Sequence, residues 1–308
     1  MPEGTSVGPP KPTPTTGNTN GDQRTALSAA LQNVSYEVLP FTGTGELVST
    51  HLPTTSAITI TTTESRPGAT LELAETLRAA GYSVAPHIAA RSIRDHKHLA
   101  DVVDRIHAAG IDRIFVVGGD LHEPAGCFAD ALQLLVGLEE HSHQFVSIGI
   151  AGYPEGHGSI SDGLIESALM DKAPYASEII TQICFHPDTT ARWACGVKRR
   201  GIGLPIRVGI PGAVPRRKLA RISGKLGLGA SARFISKQHG MLAQFFLPGG
   251  YHPRRLVEGL TPTLASPAAN VTGFHLFTFN ELQRTEAWRR AWLERLAVPQ
   301  PNKARAAK

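Results

Sequence analysis

The sequence predicts a (β/α)₈ TIM barrel folded as a single domain. Three observations lead there. Eight short β-prone apolar runs each give way to sequence with helical periodicity. The runs are near-continuous in apolar residues instead of alternating, as expected when both faces of a parallel sheet are covered. No G-x-G-x-x-G follows the first run, and Gly43-Thr44-Gly45 lacks both the third glycine and an ensuing helix, which places a doubly wound open sheet second.

The elements follow in order. Residues 1–23 are Pro-, Thr-, Gly- and Asn-rich with almost no large apolar side chain, so they read as a disordered tail. They lack the apolar core of a signal peptide. A short helix is expected at 24–31 and the first strand at 34–39, closed by Pro40. A polar loop then covers 42–52. Strands are expected at 57–61, 83–87, 113–117, 145–151, 178–183, 205–210 and 271–278. Helices are expected at 69–80, 95–109, 125–138, 161–173, 187–200, 215–226 and 280–296. Gly81 and Gly110 stop two of these helices; Ser161 or Asp162, and Asn280, are the expected caps of two others. A further helical region with breaks near Gly249-Gly250 precedes the last strand. The barrel is thus expected over 24–297, with a basic tail at 298–308.

Composition narrows the function class. With 41% apolar and 19% charged residues, the chain reads as globular, and a formal net charge of +5 suits a small anionic substrate. No basic-aromatic stripe suggests nucleic acid, and no run of about 18 apolar residues suggests a membrane span. Cys127, Cys184 and Cys195 form no C-x-x-C pair, which fits a reducing cytoplasm and argues against a disulfide framework or zinc site. His141-x-His143 and His96-x-His98 have metal-like spacing but no third ligand nearby, so they read as solvated and no metal is expected.

In a barrel the residues that end each strand share one mouth. Those side chains are Glu37, Thr61, His87, Asp120, the set Tyr153, Glu155 and His157, then Gln182 and Phe277. Glu37 lies among apolar neighbours. It reads either as an outward ion-pair partner or as an inward acid whose burial disfavours charge and readies it to donate a proton. Asp120 follows Gly118 and Gly119, which let backbone approach a ligand closely; a turn or capping aspartate is the alternative. His87 reads as structural or as a ligand contact. Pro154 and the flanking glycines fix the loop between Tyr153 and His157.

Taken together these segments resemble the methylenetetrahydrofolate reductase family. The likeness rests on Tyr36-Glu37-Val38-Leu39-Pro40, Ile58-Thr59-Ile60-Thr61, His87-Ile88-Ala89-Ala90-Arg91 and Gly118-Gly119-Asp120. It continues through Ala151-Gly152-Tyr153-Pro154-Glu155-Gly156-His157, Ile179-Ile180-Thr181-Gln182, Arg207-Val208-Gly209-Ile210-Pro211 and Gly273-Phe274-His275-Leu276-Phe277-Thr278-Phe279-Asn280. The order and spacing carry the specificity. The resemblance implies a barrel enzyme that reduces 5,10-methylenetetrahydrofolate to 5-methyltetrahydrofolate with NAD(P)H, through FAD in the usual members. It implies Glu37 as general acid for ring opening and Asp120 as the tuning group beside the pterin. Gln182 and Phe277 would contact folate. Thr61, His87, Gly119, Tyr153 and His157 would line the cofactor site. Alternatives are another folate-dependent one-carbon step, such as methyl transfer, and a non-catalytic folate-binding barrel.

The departures fall on the flavin side. The family's arginine before Gly-Asp is Gly118 here, which removes a cation with a five-donor fork. Aligned without a gap from Gln182, the flavin-holding lysine falls on Asp171 and the aspartate on Leu164; a one-residue shift would restore Lys172. The adenine-packing tyrosine is Phe128 or absent, and a second folate glutamine falls at Leu219. The resemblance therefore implies a divergent branch that binds FAD weakly or not at all and takes hydride directly from NAD(P)H.

Overall fold

The computed structural model describes residues 20–63, 66, 68–141, 143–215 and 253–298. Strands β1 (Ser35–Val38), β2 (Ala57–Ile60), β3 (Ser83–Ala89), β4 (Arg113–Val117), β5 (Ser147–Gly152), β6 (Glu178–Ile183), β7 (Ile206–Pro211) and β8 (Val271–Phe277) pair in chain order and close into a parallel barrel. Among the described residues the helices are α1 (Asn20–Gln32), α2 (Thr44–His51), α3 (Ala69–Ala79), α4 (His96–Ala108), α5 (Ala131–Glu140), α6 (Asp162–Lys172), α7 (Pro187–Arg199), α8 (Pro253–Leu264) and α9 (Leu282–Ala297). The predicted TIM barrel is therefore the fold observed, as one domain.

Four local differences have clear causes. Helix α1 starts at Asn20, ahead of the expected 24. The expected polar loop at 42–52 contains α2, entered from Gly43 at φ 83°; a helix therefore does follow Gly43, although the rest of the dinucleotide motif is missing. Helix α5 starts at Ala131, not 125, because the Asp130 side chain caps it by accepting from Gln133 N at 3.0 Å. Asn280 does not cap α9. It sits at φ 59°, and its amide clasps Leu39 on the far side of the barrel seam, accepting from Leu39 N at 2.9 Å and donating to Leu39 O at 3.0 Å. The expected helix at 216–226, the Gly249-Gly250 region and both outer tails lie outside the described residues.

The period of two along each strand sorts side chains between the helix layer and the barrel interior. On β1, Val38 and Tyr36 face outward and are buried, while Ser35 and Glu37 face in. The Tyr36 hydroxyl donates to Glu286 Oε2 of α9 at 2.5 Å. Glu286 is 3% exposed and also accepts from Arg289 Nε at 2.7 Å, Arg289 Nη2 at 2.8 Å and Arg290 Nε at 2.7 Å. Burial alone would raise its pKa, but the hydrogen bonds from Arg289, Tyr36 and Arg290 outweigh it and hold the carboxyl below the usual range. At the other end of the strands, Arg207 pairs with Glu178 at 3.1 Å and also reaches Asn33 O. This floor closes the barrel beneath the mouth. Arg207 sits beside Gly273, so its stem has room inside.

Removing the Glu286 carboxylate strands a buried guanidinium and a buried phenol. Glu286→Ala is expected to lower folding stability by roughly 3–5 kcal/mol, read from urea unfolding. A carboxyl with a lowered folded-state pKa contributes stability that is present above its unfolded pKa and lost as pH falls through the folded value. Glu286→Gln should therefore flatten the acid limb of the stability–pH curve; an unchanged acid limb would sink this account of the α9 clamp.

Candidate functional site

The inward face of β1 sets the centre of the mouth. Glu37 Oε2 lies 3.6 Å from His275 Nε2 and 3.9 Å from His87 Nε2. His275 is 1% exposed, and its Nδ1 is 2.8 Å from Ser35 Oγ. The environment of Glu37 is thus a cluster of two imidazoles, not the apolar pocket its sequence neighbours suggest. Those apolar neighbours point the other way, into the helix layer. Ser35, His275 and Glu37 thus line up from the barrel interior to the mouth, the first two hydrogen-bonded and the last two in ion-pair range but not in hydrogen-bond contact. His87 packs against Phe115 with ring centroids 4.7 Å apart and the planes tilted by 43°. Burial pushes its pKa down to about 4, against the charge of Glu37, which opposes the shift; His275 lowers it further. His87 is therefore a neutral imidazole over the physiological range.

Above this cluster opens a cavity of about 680 Å³. Glu37, Thr61, His87, Gly119, Asp120, Tyr153, His157, Gln182 and Phe277 all line it. Each reaches it for a local reason. Gly119 holds φ 94° and packs so closely on β3 that a Cβ would lie 3.0 Å from Ala89 Cβ, so the chain turns there and Asp120 faces the cavity. Tyr153 is pushed up in pKa by burial and then by Asp120, so it stays a phenol. Its ring meets His157 edge-on at 5.3 Å, and His157 Nδ1 accepts from Ser159 N at 3.2 Å. The β6–β7 register shifts between Ile180 and Ile183; such an irregularity re-aims a side chain, here Gln182. Its Oε1 accepts from Ile183 N at 2.9 Å, which fixes the amide. Phe277 lies edge-on to His275 at 5.0 Å, over Gly209, where a Cβ would come within 2.6 Å of the ring.

Several buried polar atoms on or beneath this surface lack a hydrogen-bond partner. They are Thr59 Oγ1, Thr61 Oγ1, His87 Nε2 and Arg91 Nε, four of the six such side-chain atoms among the described residues; His107 Nε2 and Thr285 Oγ1 lie elsewhere. Unpaired buried polar groups are costly, and their concentration at one mouth is the signature of a surface built to meet a polar ligand.

Other candidates lie elsewhere. Glu155 accepts from Phe185 N and His186 N, each at 2.7 Å, and so ties the β5 loop to the start of α7 instead of facing the cavity. Phe128 is a core side chain, 3% exposed, against His96 at 5.1 Å. Leu164 is 65% exposed and Asp171 is exposed, whereas Lys172 turns inward, where burial lowers its pKa and the charge of Asp130 opposes that. The one-residue shift is therefore what the helix geometry selects. Leu219 lies outside the described residues. His143 pairs with Glu139 at 3.2 Å and His96 with Glu140 at 3.7 Å. Among the described residues no group of three or more His, Cys, Asp or Glu could hold a metal. Among the lining residues with charged or imidazole side chains, four were missed: His275, Arg91, His122 and Asp130. His275 was legible, since it sits two residues before Phe277 on the same strand face. Arg91 and Asp130 belong to loop geometry that periodicity does not carry.

Two comparisons with known proteins bear on this site. The fold is similar to that of an uncharacterized protein from Clostridium thermocellum that binds two copies of 5-methyl-5,6,7,8-tetrahydrofolic acid. The likeness has 10% identity and a TM-score of 0.50, and covers 87% of this chain and 99% of that one; at that identity it is one of fold. The model of the methylenetetrahydrofolate reductase family matches residues 41–240. That span holds β2 to β7 but neither Glu37 nor His275. The match covers well over half of the chain, which belongs to the methylenetetrahydrofolate reductase family.

Proposed function

We propose that the protein reduces 5,10-methylenetetrahydrofolate to 5-methyltetrahydrofolate, with NAD(P)H as the hydride donor. The observation that carries this is Glu37, an inward carboxyl at the base of a cavity whose rim holds Asp120 and Gln182. A pure binding site has no use for an acid fed by His275 and Ser35. Family membership and the folate-binding fold neighbour support the substrate class.

The chemistry asks four things of the chain. The substrate's five-membered ring must open, which needs a proton at the departing amine nitrogen and leaves an electrophilic iminium. Glu37 supplies that proton, and His275 with Ser35 behind it restores it. Asp120 stands at the rim, where its negative charge favours the cationic iminium. Gln182 and Phe277, from β6 and β8, hold the folate ring by its edge and its face. Thr61, His87, Gly119, Tyr153 and His157 line the opposite side, where a planar redox ring would sit; the unpaired Thr61 hydroxyl and His87 nitrogen fit such a ring's polar edge. A reduced nicotinamide held there would supply the hydride that the iminium carbon needs. For FAD, the one-residue shift retains Lys172 beside Asp130 but puts the usual aspartate at Ile165, so that position, like Gly118, leaves a usual contact unfilled. This supports a branch in which NAD(P)H takes the ring position and flavin is dispensable.

Two outcomes follow. The purified protein should oxidise NADH or NADPH only when methylenetetrahydrofolate is added, without a visible flavin absorption band. Glu37→Gln should reduce turnover on the order of 10²–10⁴-fold while 5-methyltetrahydrofolate still binds. Stoichiometric FAD whose removal abolishes activity would refute the flavin-independent branch, and full turnover in Glu37→Gln would remove the acid.

His87 provides the pH test. Histidine-selective NMR should find its ring neutral from pH 8 down to near its value of about 4. The unfolded chain binds that proton near pH 6.5, so His87 contributes stability that is present above about 6.5 and drains away as pH falls toward 4. A His87 titration near 6.5 would contradict the buried neutral ring.

A further inference from the structure

Arg91 lies in the short turn Ala90–Ser92 that follows β3. Its backbone is fixed on both sides. Arg91 N donates to Gly118 O at 2.9 Å, and Arg91 O accepts from Ala125 N at 2.8 Å. Cys127 N donates to Arg94 O at 3.2 Å. Gly126 lies so flat on this segment that a Cβ would fall 1.6 Å from Arg94 O, so only glycine permits the contact. The β4–α5 loop and the β3–α4 turn therefore form one docked unit. The guanidinium donates from Nη2 to His122 O at 3.3 Å.

That single carbonyl uses little of a five-donor fork. Arg91 Nε is buried without a partner, and no carboxylate forms an ion pair with Arg91 among the described residues. Yet Arg91 lines the same cavity as Glu37, Asp120 and Asp130. A planar fork whose Nε is buried and unpaired matches a phosphate or carboxylate. Its position chooses between them. Arg91 stands on the β3–β4 side with His87 and the half-buried Gly118 and Gly119. Gln182 and Phe277 stand on β6 and β8, across the closed strand order.

We infer that Arg91 is a preformed anchor for the diphosphate of the dinucleotide that binds on the β3–β4 side of the mouth. The inference rests on the reductase reading and adds to it the residue that grips the reductant's anionic bridge. The shared chemistry is a diphosphate between two nucleoside halves, as NADH and FAD both carry.

The test is equilibrium binding on the full chain, with wild type, Arg91→Met and Arg91→Lys each titrated with NADH, FAD, ADP-ribose, adenosine and 5-methyltetrahydrofolate. Arg91→Met should weaken whichever dinucleotide the wild type binds, and ADP-ribose, by about tenfold or more. Adenosine and 5-methyltetrahydrofolate should change by less than about twofold, since neither carries a diphosphate. Arg91→Lys keeps the stem and charge but not the fork. It should recover part of the affinity and lose it again as salt rises, and it carries the test alone if thermal melts show Arg91→Met unfolded. Whether NADH or FAD responds identifies the bound species. Unchanged dinucleotide and ADP-ribose affinity overturns the assignment, as does a loss confined to 5-methyltetrahydrofolate, which would make Arg91 a folate-carboxylate contact. A wild type that binds neither dinucleotide overturns both this assignment and the reductase reading, whereas tight wild-type binding untouched by either variant overturns this assignment alone.

Discussion

A carboxylate buried outside the barrel governs the acid inside it. Glu286 on α9 gathers the Tyr36 hydroxyl and the guanidinium groups of Arg289 and Arg290. Tyr36 and Glu37 are adjacent on β1, so strand alternation makes them point to opposite faces. Whatever fixes Tyr36 against α9 therefore fixes the direction in which Glu37 enters the mouth. The seam adds two further constraints. Thr278 Oγ1 donates to Glu37 O at 2.5 Å, and Asn280 clasps Leu39. Glu37 is thus held from the helix layer, from β8 and from the loop beyond it. A site that must place a proton at one nitrogen needs that degree of preorganisation.

The barrel interior below the mouth follows from a trade between rings and glycines. Phe115 fills the space over Gly149, where a Cβ would lie 2.6 Å from its ring, and Phe277 does the same over Gly209. The two rings wall the polar cluster, Phe115 packing at a tilt on His87 and Phe277 meeting His275 edge-on. Desolvation by such walls keeps His87 neutral. Beneath, the Arg207–Glu178 pair closes the barrel. The interior is therefore a packed column with one reactive layer on top, not a pore, as expected of this architecture.

The barrel was legible because parallel strands buried on both faces write continuous apolar runs, and each run here is followed by a helical period. The mouth residues were legible as strand ends. What escaped the sequence was contact made by loops. The helix α2 hid in a polar stretch because Gly43 supplies its left-handed entry and only Thr44 and Val48 are buried along it. The stretch 125–130 looks helical by composition, but Gly126 and Ala125 are spent docking on Arg91 and Arg94. Glu155 sits in the most family-like motif yet points at the backbone of Phe185 and His186. Lys172 and Leu164 differ only in the face of α6 they occupy, which depends on where that helix packs. His275 could have been found by carrying the alternation on β8 back two residues from Phe277.

The mouth divides by charge. On the β1 and β8 side stand Glu37 and His275, the pair to which the proposed mechanism gives the proton; on the β3 and β4 side Arg91 stands with the carboxylates of Asp120 and Asp130; His87 lies near Glu37. A charged imidazolium 3.9 Å from Glu37 would bias that carboxyl toward its ionised form and would repel a cationic iminium. Burial against Phe115 removes both effects by keeping the ring neutral. Arg91 is the one guanidinium among the described residues that line the cavity, and the proposed diphosphate contact would place the ligand's anionic segment on the β3–β4 side, away from Glu37. Separation of a proton-handling sector from an anion-holding sector is what a reduction by hydride requires. The donor must lie flat against the substrate carbon while its charged bridge is kept clear of the group that delivers the proton.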